Sequence, residues 1–193
     1  LLINKEQGSW FFLGEIYINL PLPIDKKVEN HCGTCTSCMD VCPTQAIIGP
    51  YQLDARKCIS YLTIEHTSSI PEVYRKQIGN RVYGCDDCQL YCPWNKFGQT
   101  TKEDDFKVRH GLDDIELITC FSWSEQEFEE RMQGSAILRI GYQRWLRNIA
   151  IGLGNAKTSD AIVSILKKRL VDASPLLEEH ITWALEQHKI HMH

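Results

Sequence analysis

The sequence lacks the loops that mark many cofactor-binding enzymes. It contains no Gly-x-Gly-x-x-Gly loop, no P-loop and no Asp-x-His-x-x-Gly cobalamin signature. These absences exclude the dinucleotide, nucleoside triphosphate and cobalamin sites that can be recognised from sequence. No apolar run reaches the roughly 18 residues that a membrane helix needs, and the first residues do not resemble a targeting peptide. The sequence therefore predicts no membrane association.

Cysteine is abundant by contrast, and eight of the nine cysteines lie between His31 and Trp94. They form two runs, Cys32-x2-Cys35-x2-Cys38-x3-Cys42-Pro43 and Cys85-x2-Cys88-x3-Cys92-Pro93. The first run has the bacterial ferredoxin spacing for a [4Fe–4S] cubane, in which the fourth cysteine ligates the other cluster. The sequence therefore predicts two clusters that exchange ligands.

The second run is incomplete, since its first cysteine would stand at position 82, which is Val82. Cys58 is the cysteine left to replace it. We therefore predict one cluster on Cys32, Cys35, Cys38 and Cys92, and a second on Cys42, Cys58, Cys85 and Cys88.

Zinc and disulfides are the alternative uses of these cysteines. Structural zinc favours two separate Cys-x2-Cys pairs, whereas here three cysteines share one run and each run ends in Cys-Pro. The odd cysteine count and the absence of a secretory signal disfavour disulfides. Thiolate ligands indicate a reducing compartment, hence the cytoplasm. The ninth cysteine, Cys120, has no ligand-like spacing and is predicted to be a small buried hydrophobe.

Charge is unevenly distributed along a chain whose formal net charge is −4. Residues 103–130 contain ten Asp and Glu against two Lys and Arg, whereas residues 131–169 contain eight Lys and Arg against one Asp. Such segregation indicates a basic face with an anionic partner.

The chain begins with an aromatic and β-branched stretch, Trp10 to Leu20. Its apolar residues on both parities predict a strand buried on both faces. Such a strand needs neighbouring strands, and this chain supplies few. We therefore expect residues 1–30 to be the end of a preceding domain.

The remaining sequence contains residues that predict where several helices begin and end. Pro71 predicts the start of a helix that ends near Gly79. This helix lies in the insertion between Cys58 and Cys85. Ser124 and Glu127 resemble a capping box. Three amphipathic helices are then predicted, at about 138–153, from Ser159, and from Ser174–Pro175. They suggest HEAT-like repeats, followed by a frayed polar tail over 188–193.

Basic side chains on these helices are candidates for a nucleic-acid contact. Arg139, Arg144 and Arg147 share one side of a helix, and Lys167 and Lys168 follow on the next. Stacked cations suit a phosphate backbone and give affinity without sequence choice. The alternative is an ordinary solvated face.

Several stretches resemble epoxyqueuosine reductase. They are 58–65 (CISYLTIE), 78–89 (IGNRVYGCDDCQ), 92–95 (CPWN), Gly8-Ser9-Trp10 with Leu13-Gly14-Glu15, and Arg139-x-Gly141-x4-Leu146-Arg147-Asn148. The resemblance covers essentially the whole chain as the C-terminal part of that family. That family uses cobalamin and two [4Fe–4S] clusters to reduce epoxyqueuosine to queuosine in tRNA, the last step of queuosine biosynthesis.

The resemblance implies a division of labour. The clusters would pass electrons from an external low-potential donor to cobalamin, with Ser60 and Asp86 as neighbours of the corrin. Asp86 could instead cap the turn after Cys85. The basic residues would hold the anticodon stem-loop. The catalytic acid would lie outside this chain, which would act as a monomer and be inactive without its N-terminal domain.

The predicted fold class is α+β. Residues 1–30 would end an α/β catalytic domain that binds cobalamin, 31–98 would form a ferredoxin-like module with two [4Fe–4S] clusters, and 99–193 would form a helical HEAT-like domain. Two alternative functions remain open, a carrier ferredoxin and a cobalamin-dependent reductase related to reductive dehalogenases.

Overall fold

The computed structural model describes residues 1–190, and the elements that it contains are mostly short helices. The two strands found there form one antiparallel hairpin, β1 (Ile47–Gly49) and β2 (Gln52–Leu53). The α-helices are α1 (Ser37–Val41), α2 (Ile59–Ile64), α3 (Glu72–Ile78), α4 (Asp87–Leu90), α5 (Leu117–Ser122), α6 (Glu125–Met132), α7 (Gly141–Asn155), α8 (Asp160–Leu170) and α9 (Pro175–Ile190). Short 3₁₀ turns span Ala55–Lys57, Pro93–Phe97, Asp104–Phe106 and Ala136–Ile140. No helix in the described part of the chain is long and apolar enough to cross a membrane.

The predicted buried strand near the N-terminus is wrong. Residues 10–20 are irregular and exposed, with Ile16 91% and Tyr17 90% accessible. A strand needs a partner for its backbone N–H and C=O groups. The hairpin is the only sheet in residues 1–190, and it does not include this segment.

The N-terminal segment is attached to the cysteine-rich region at Ser9. Asn95 Oδ1 accepts a hydrogen bond from the Ser9 backbone N–H at 2.5 Å, and Gln89 Nε2 donates to the Ser9 carbonyl at 2.9 Å. The preceding Gly8 has φ +82°, and a Cβ there would stand 2.3 Å from Asn95 Oδ1. Glycine is therefore required for this close approach.

The predicted helix starts and stops are largely confirmed. Ser124 and Glu127 form the reciprocal capping box of α6, and Ser159 caps α8. Helix α3 begins just after Pro71 and ends at Gly79, whose φ of +64° stops the helix. Local side-chain chemistry dictates these boundaries, so they can be read from sequence.

Helix α7 is the centre of the helical core. It packs against α9 and α5, and also against α3 from the cysteine-rich half. Fully buried apolar residues fill the space between these helices, among them Phe121, Leu146, Ile149 and Ile181. Each such side chain contributes about 1.5–3 kcal/mol through burial. One core therefore joins the helices to the insertion between Cys58 and Cys85.

The last turn of α7 lies against α9. The helix extends two residues beyond its predicted end near 153 and includes Gly154 and Asn155. A Cβ on Gly154 would stand 2.9 Å from the Cα of Ala184, so only glycine allows this close crossing. The predicted frayed tail is wrong at His188, which is 1% exposed with Nε2 3.1 Å from the Leu153 carbonyl oxygen. The remaining tail histidines, at 191 and 193, lie outside the described residues.

Candidate metal centre

The first three cysteines surround one loop and the start of a helix. The Cys35 N–H donates to the Cys32 carbonyl at 3.1 Å, and this turn leads into α1, which contains Cys38. Burial raises the pKa of the Cys38 thiol, and the nearby thiols of Cys32 and Cys35 add to the rise. The side-chain hydroxyl and backbone N–H of Ser37 lower the pKa of Cys35. The fold therefore brings these three sulfurs within electrostatic reach of one another.

A second group forms around Cys58, Cys85 and Cys88. Cys58 immediately precedes α2, and Cys88 lies in α4. Burial raises the pKa of Cys88 to about 11, with further contributions from Cys85, Cys58 and Cys38. Burial likewise raises the pKa of Cys85, which also senses Cys58. Cys38 and Cys88 therefore connect the first group of thiols with the second.

Cys42 precedes the hairpin that leads the chain back to Cys58. The Asp54 N–H donates to the Ala46 carbonyl at 2.8 Å and closes the hairpin. Ala46 lies four residues after Cys42, and Asp54 lies four residues before Cys58. Burial raises the pKa of Cys42, but the Ala46 N–H, 3.2 Å from its sulfur, and the Thr44 hydroxyl outweigh burial and lower the pKa overall. This sulfur is already placed as a hydrogen-bond acceptor, as a ligand thiolate would be.

Cys92 lies on the side of the first group. Trp94 Nε1 donates to the His31 carbonyl at 3.2 Å, and the two rings are 5.5 Å apart. This contact joins the residue before Cys32 to the turn after Cys92. Cys92 is buried, whereas Cys35 is exposed.

The donor set suits iron–sulfur clusters. All nine cysteines are free thiols, and Cys120 is set apart as a 2% exposed core residue, as predicted. Within residues 1–190, no three His, Cys, Asp or Glu side chains converge where one metal ion could be held. A cubane does not require such convergence, because each cysteine binds a different iron. Eight thiols in two adjoining groups fit two [4Fe–4S] clusters.

The residues predicted to neighbour a corrin do lie together. Ser60 and Asp86 line one cavity of about 340 Å³, which also contacts Cys85 of the second thiol group. The alternative role of Asp86 is not observed, since its side chain makes no capping hydrogen bond to α4. Arg81 borders the cavity and donates to Asp87 at 2.6 Å.

The predicted basic face is wrong at Arg147, which is fully buried. Its Nη1 donates to the carbonyls of His66 and Ser68, each at 2.7 Å, and its Nη2 donates to that of Leu62 at 2.9 Å. Burial lowers its pKa to about 10, and the repulsion of Arg144 contributes. The side chain remains charged near neutral pH, but it is used inside the protein and cannot reach a phosphate.

The other basic candidates differ in whether their side chains already make contacts within the protein. Arg144 Nη1 donates to the Ile64 carbonyl at 2.9 Å, and Arg139 forms a two-point ion pair with Glu65 at 2.9 and 3.1 Å. Lys167 and Lys168 are exposed on α8. Only the two lysines are therefore free to meet an anionic partner without giving up a protein contact described here.

Sequence reasoning missed the polar side chains that anchor the insertion to α7. Asn148 is fully buried and donates to the carbonyls of Thr63 and Val82, each at 2.8 Å. Asn155 donates to those of Arg75 and Gly79 at 2.7 and 3.0 Å. Polar residues inside an otherwise apolar helix stripe were the available signal, since buried polar groups require partners.

Comparison with known proteins agrees with this geometry. Residues 31–95 match the family model described as a 4Fe-4S double cluster binding domain. The epoxyqueuosine reductase of Xanthomonas campestris pv. campestris is 60% identical over 187 residues, which are 97% of this chain and 53% of that protein. The Escherichia coli (strain K12) enzyme of that name is 55% identical, over 97% of this chain and 49% of its own.

Solved structures give the same result. A crystal structure of epoxyqueuosine reductase with an epoxyqueuosine-modified tRNA-Tyr stem loop matches with a TM-score of 0.81 at 32% identity, covering 88% of this chain and 45% of that one. The enzyme from Bacillus subtilis matches with a TM-score of 0.80. The chain spans about half the length of the curated relatives it matches. Over nearly its whole length, then, this chain is similar to about half of the length of the epoxyqueuosine reductases, and residues 31–95 match a 4Fe-4S double cluster binding domain.

Proposed function

We propose that this chain takes part in the reduction of epoxyqueuosine to queuosine in tRNA, as the electron relay and part of the tRNA-holding surface of an epoxyqueuosine reductase. The observation that carries this proposal is the arrangement of the thiols. Helix α1, which contains Cys38, packs against helix α4, which contains Cys88, and the second group borders a cavity. Electrons could thus pass from one cluster to the next and on to a group in that cavity.

The cysteines would divide as the spacing predicts. Cys32, Cys35, Cys38 and Cys92 would hold the first cluster, and Cys42, Cys58, Cys85 and Cys88 the second. The exposure of Cys35 gives the first cluster an edge that an external low-potential electron donor could approach. The second cluster, on half-buried thiols, would be the inner one. Electrons would then enter at the first cluster and pass to the second.

The cavity beside Cys85 would face a bound cobalamin. Ser60 and Asp86 line that cavity and would contact the corrin. When both groups are bound, the clusters would supply single electrons to the cobalamin, and the cobalamin would act as the reductant of the epoxide. This chain's part is to hold the clusters at that cavity, and no catalytic residue is assigned within it.

Residues 1–30 would be the end of the α/β domain that binds the cobalamin. Large apolar side chains there are open to solvent, including Phe12 at 85%, Ile16 at 91% and Ile24 at 98% exposure. Apolar patches of this kind mark surfaces that pack against another body.

Helices α7–α9 would form the HEAT-like part that holds the anticodon stem-loop. Lys167 and Lys168 supply exposed charge for phosphate contacts. Arg139 and Arg144 could join them only by leaving Glu65 and the Ile64 carbonyl. Arg147 has no such role. The protein would act as a monomer in the cytoplasm.

Iron content and RNA affinity together test the proposal. The anaerobically reconstituted chain should hold about eight irons and bind an epoxyqueuosine-modified stem-loop with an affinity that falls as salt rises. Stoichiometric zinc without iron would overturn the cluster assignment. Full iron without salt-dependent RNA binding would instead favour a carrier ferredoxin. Full iron together with binding of an organohalide that the modified stem-loop does not displace would favour a relative of the reductive dehalogenases.

A further inference from the structure

His31 lies between the two ends of the first thiol group. It directly precedes Cys32, and its carbonyl accepts a hydrogen bond from Trp94 Nε1 at 3.2 Å. Its ring lies 5.5 Å from that of Trp94, two residues after Cys92. The imidazole is therefore held beside two cysteines assigned to the same cluster.

The Nε2 atom of His31 is buried and has no hydrogen-bond partner among residues 1–190. Among the described side chains, Trp145 Nε1 is the other buried nitrogen in this condition. Trp145 lies between the rings of Trp123 and Phe128, among the apolar side chains of the helical core. His31 instead lies beside cysteines. Since an unpaired buried donor is costly, its acceptor is expected to be a group outside the polypeptide.

We propose that His31 Nε2–H donates a hydrogen bond to a sulfur of the first [4Fe–4S] cluster and thereby raises the reduction potential of that cluster. This inference rests on the proposed function, since it requires a cluster on Cys32, Cys35, Cys38 and Cys92. Cluster sulfides and cysteine thiolates carry negative charge, which increases when the cluster gains an electron. A fixed N–H dipole therefore stabilises the reduced form more than the oxidised form.

The position of His31 gives this hydrogen bond a role in the relay. The first cluster has its exposed edge at Cys35, where electrons would enter. A donor at the buried Nε2 atom would make electron uptake easier without blocking that edge. His31 would thus tune the potential of the entry cluster and take no part in the chemistry at the cavity beside Cys85.

Redox titration of two variants tests the proposal. His31→Phe keeps a ring against Trp94 but removes the donor, whereas His31→Gln keeps an N–H at a similar reach. In anaerobic titrations followed by electron paramagnetic resonance, His31→Phe should shift the potential of one cluster to a more negative value. The second cluster serves as the internal reference and should not move. His31→Gln should shift the first cluster less.

Unchanged potentials in a His31→Phe protein with full iron content would overturn the inference. If that variant does not retain iron, pulsed resonance of the reduced wild-type chain with ¹⁵N-labelled histidine decides. A histidine nitrogen and one exchangeable proton should couple to the cluster, and absence of both signals would overturn the inference. Wild-type chain that binds no iron would overturn the proposed function itself, whereas about eight irons without these signals would overturn only the role of His31.

Discussion

Asn148 donates a hydrogen bond through Nδ2 to the carbonyl oxygen of Val82 at 2.8 Å. Val82 stands where a complete second ferredoxin run would carry its first cysteine. The same Nδ2 also binds the Thr63 carbonyl at 2.8 Å. One side chain of α7 thus holds two points of the loop that joins Cys58 to Cys85. The helical half of the chain therefore stabilises the loop in which this sequence departs from the ferredoxin pattern.

Replacing Asn148 with alanine should lower both the free energy of unfolding and the iron content of the second cluster. The carbonyls of Thr63 and Val82 would be left buried without a donor, which costs about 1–3 kcal/mol in the free energy of unfolding. Chemical denaturation and iron analysis would measure both effects. Asn80→Ala, at an exposed asparagine, is the matched control. Equal stability and iron content in the two variants would show that this anchor is dispensable.

Cys58→Ala should remove one cluster and spare the other. Under the proposed ligand assignment, iron content should fall from about eight to about four per chain. Cys120→Ala, at a cysteine buried in the helical core, should keep all of the iron. Retention of both clusters in Cys58→Ala would mean that the ligand pairing is wrong.

Lys167→Ala combined with Lys168→Ala should weaken binding of the modified stem-loop. Each lost phosphate contact should lower the slope of log K against log salt by about 1, because fewer counterions are released on binding. Lys26→Ala with Lys27→Ala makes the same charge change at another exposed pair. Fluorescence anisotropy at several salt concentrations measures the slope. Equal losses in both double variants would indicate a general charge effect and no specific surface.

His180 should make stability depend on pH. Burial lowers its pKa to about 4, because the neutral ring fits its surroundings. Its Nε2 accepts a hydrogen bond from the Ile70 N–H at 3.2 Å, and its Nδ1 lies 2.7 Å from the Leu176 carbonyl oxygen. A proton on Nε2 would oppose the Ile70 N–H.

The depressed pKa sets the direction of this effect. In the unfolded chain the imidazole gains a proton near pH 6.5, whereas in the folded chain it stays neutral down to about pH 4. Stability from this group is therefore complete above pH 6.5 and is lost as the pH falls towards 4. Between pH 7 and 5.5 the loss should be about 1 kcal/mol. Anaerobic denaturation measures it, and His180→Gln should flatten the dependence relative to His110→Gln, at an exposed histidine. An unchanged slope in His180→Gln would contradict this role.

Features that depend on neighbouring residues were predictable from sequence. The Cys-x2-Cys spacing predicted that three thiols share a loop, and Cys32 and Cys35 do form one turn that leads into the helix containing Cys38. Ser124 with Glu127, and Ser159, were predicted as helix caps and are observed. Each of these contacts spans only a few positions, so backbone geometry alone brings the partners together.

Features that depend on distant residues were decided by the tertiary structure. Arg147 and Lys167 are both cations on amphipathic helices, and nothing in their local sequence distinguishes them. The fold places carbonyls of the insertion, among them that of His66, over Arg147 and leaves Lys167 in solvent. Residues 10–20 have a strand-forming composition, yet no described strand pairs with them. Sequence by itself determined the thiol spacing and the helix ends, because those are local. Tertiary structure alone determined which polar groups are buried, because burial depends on segments far apart in the chain.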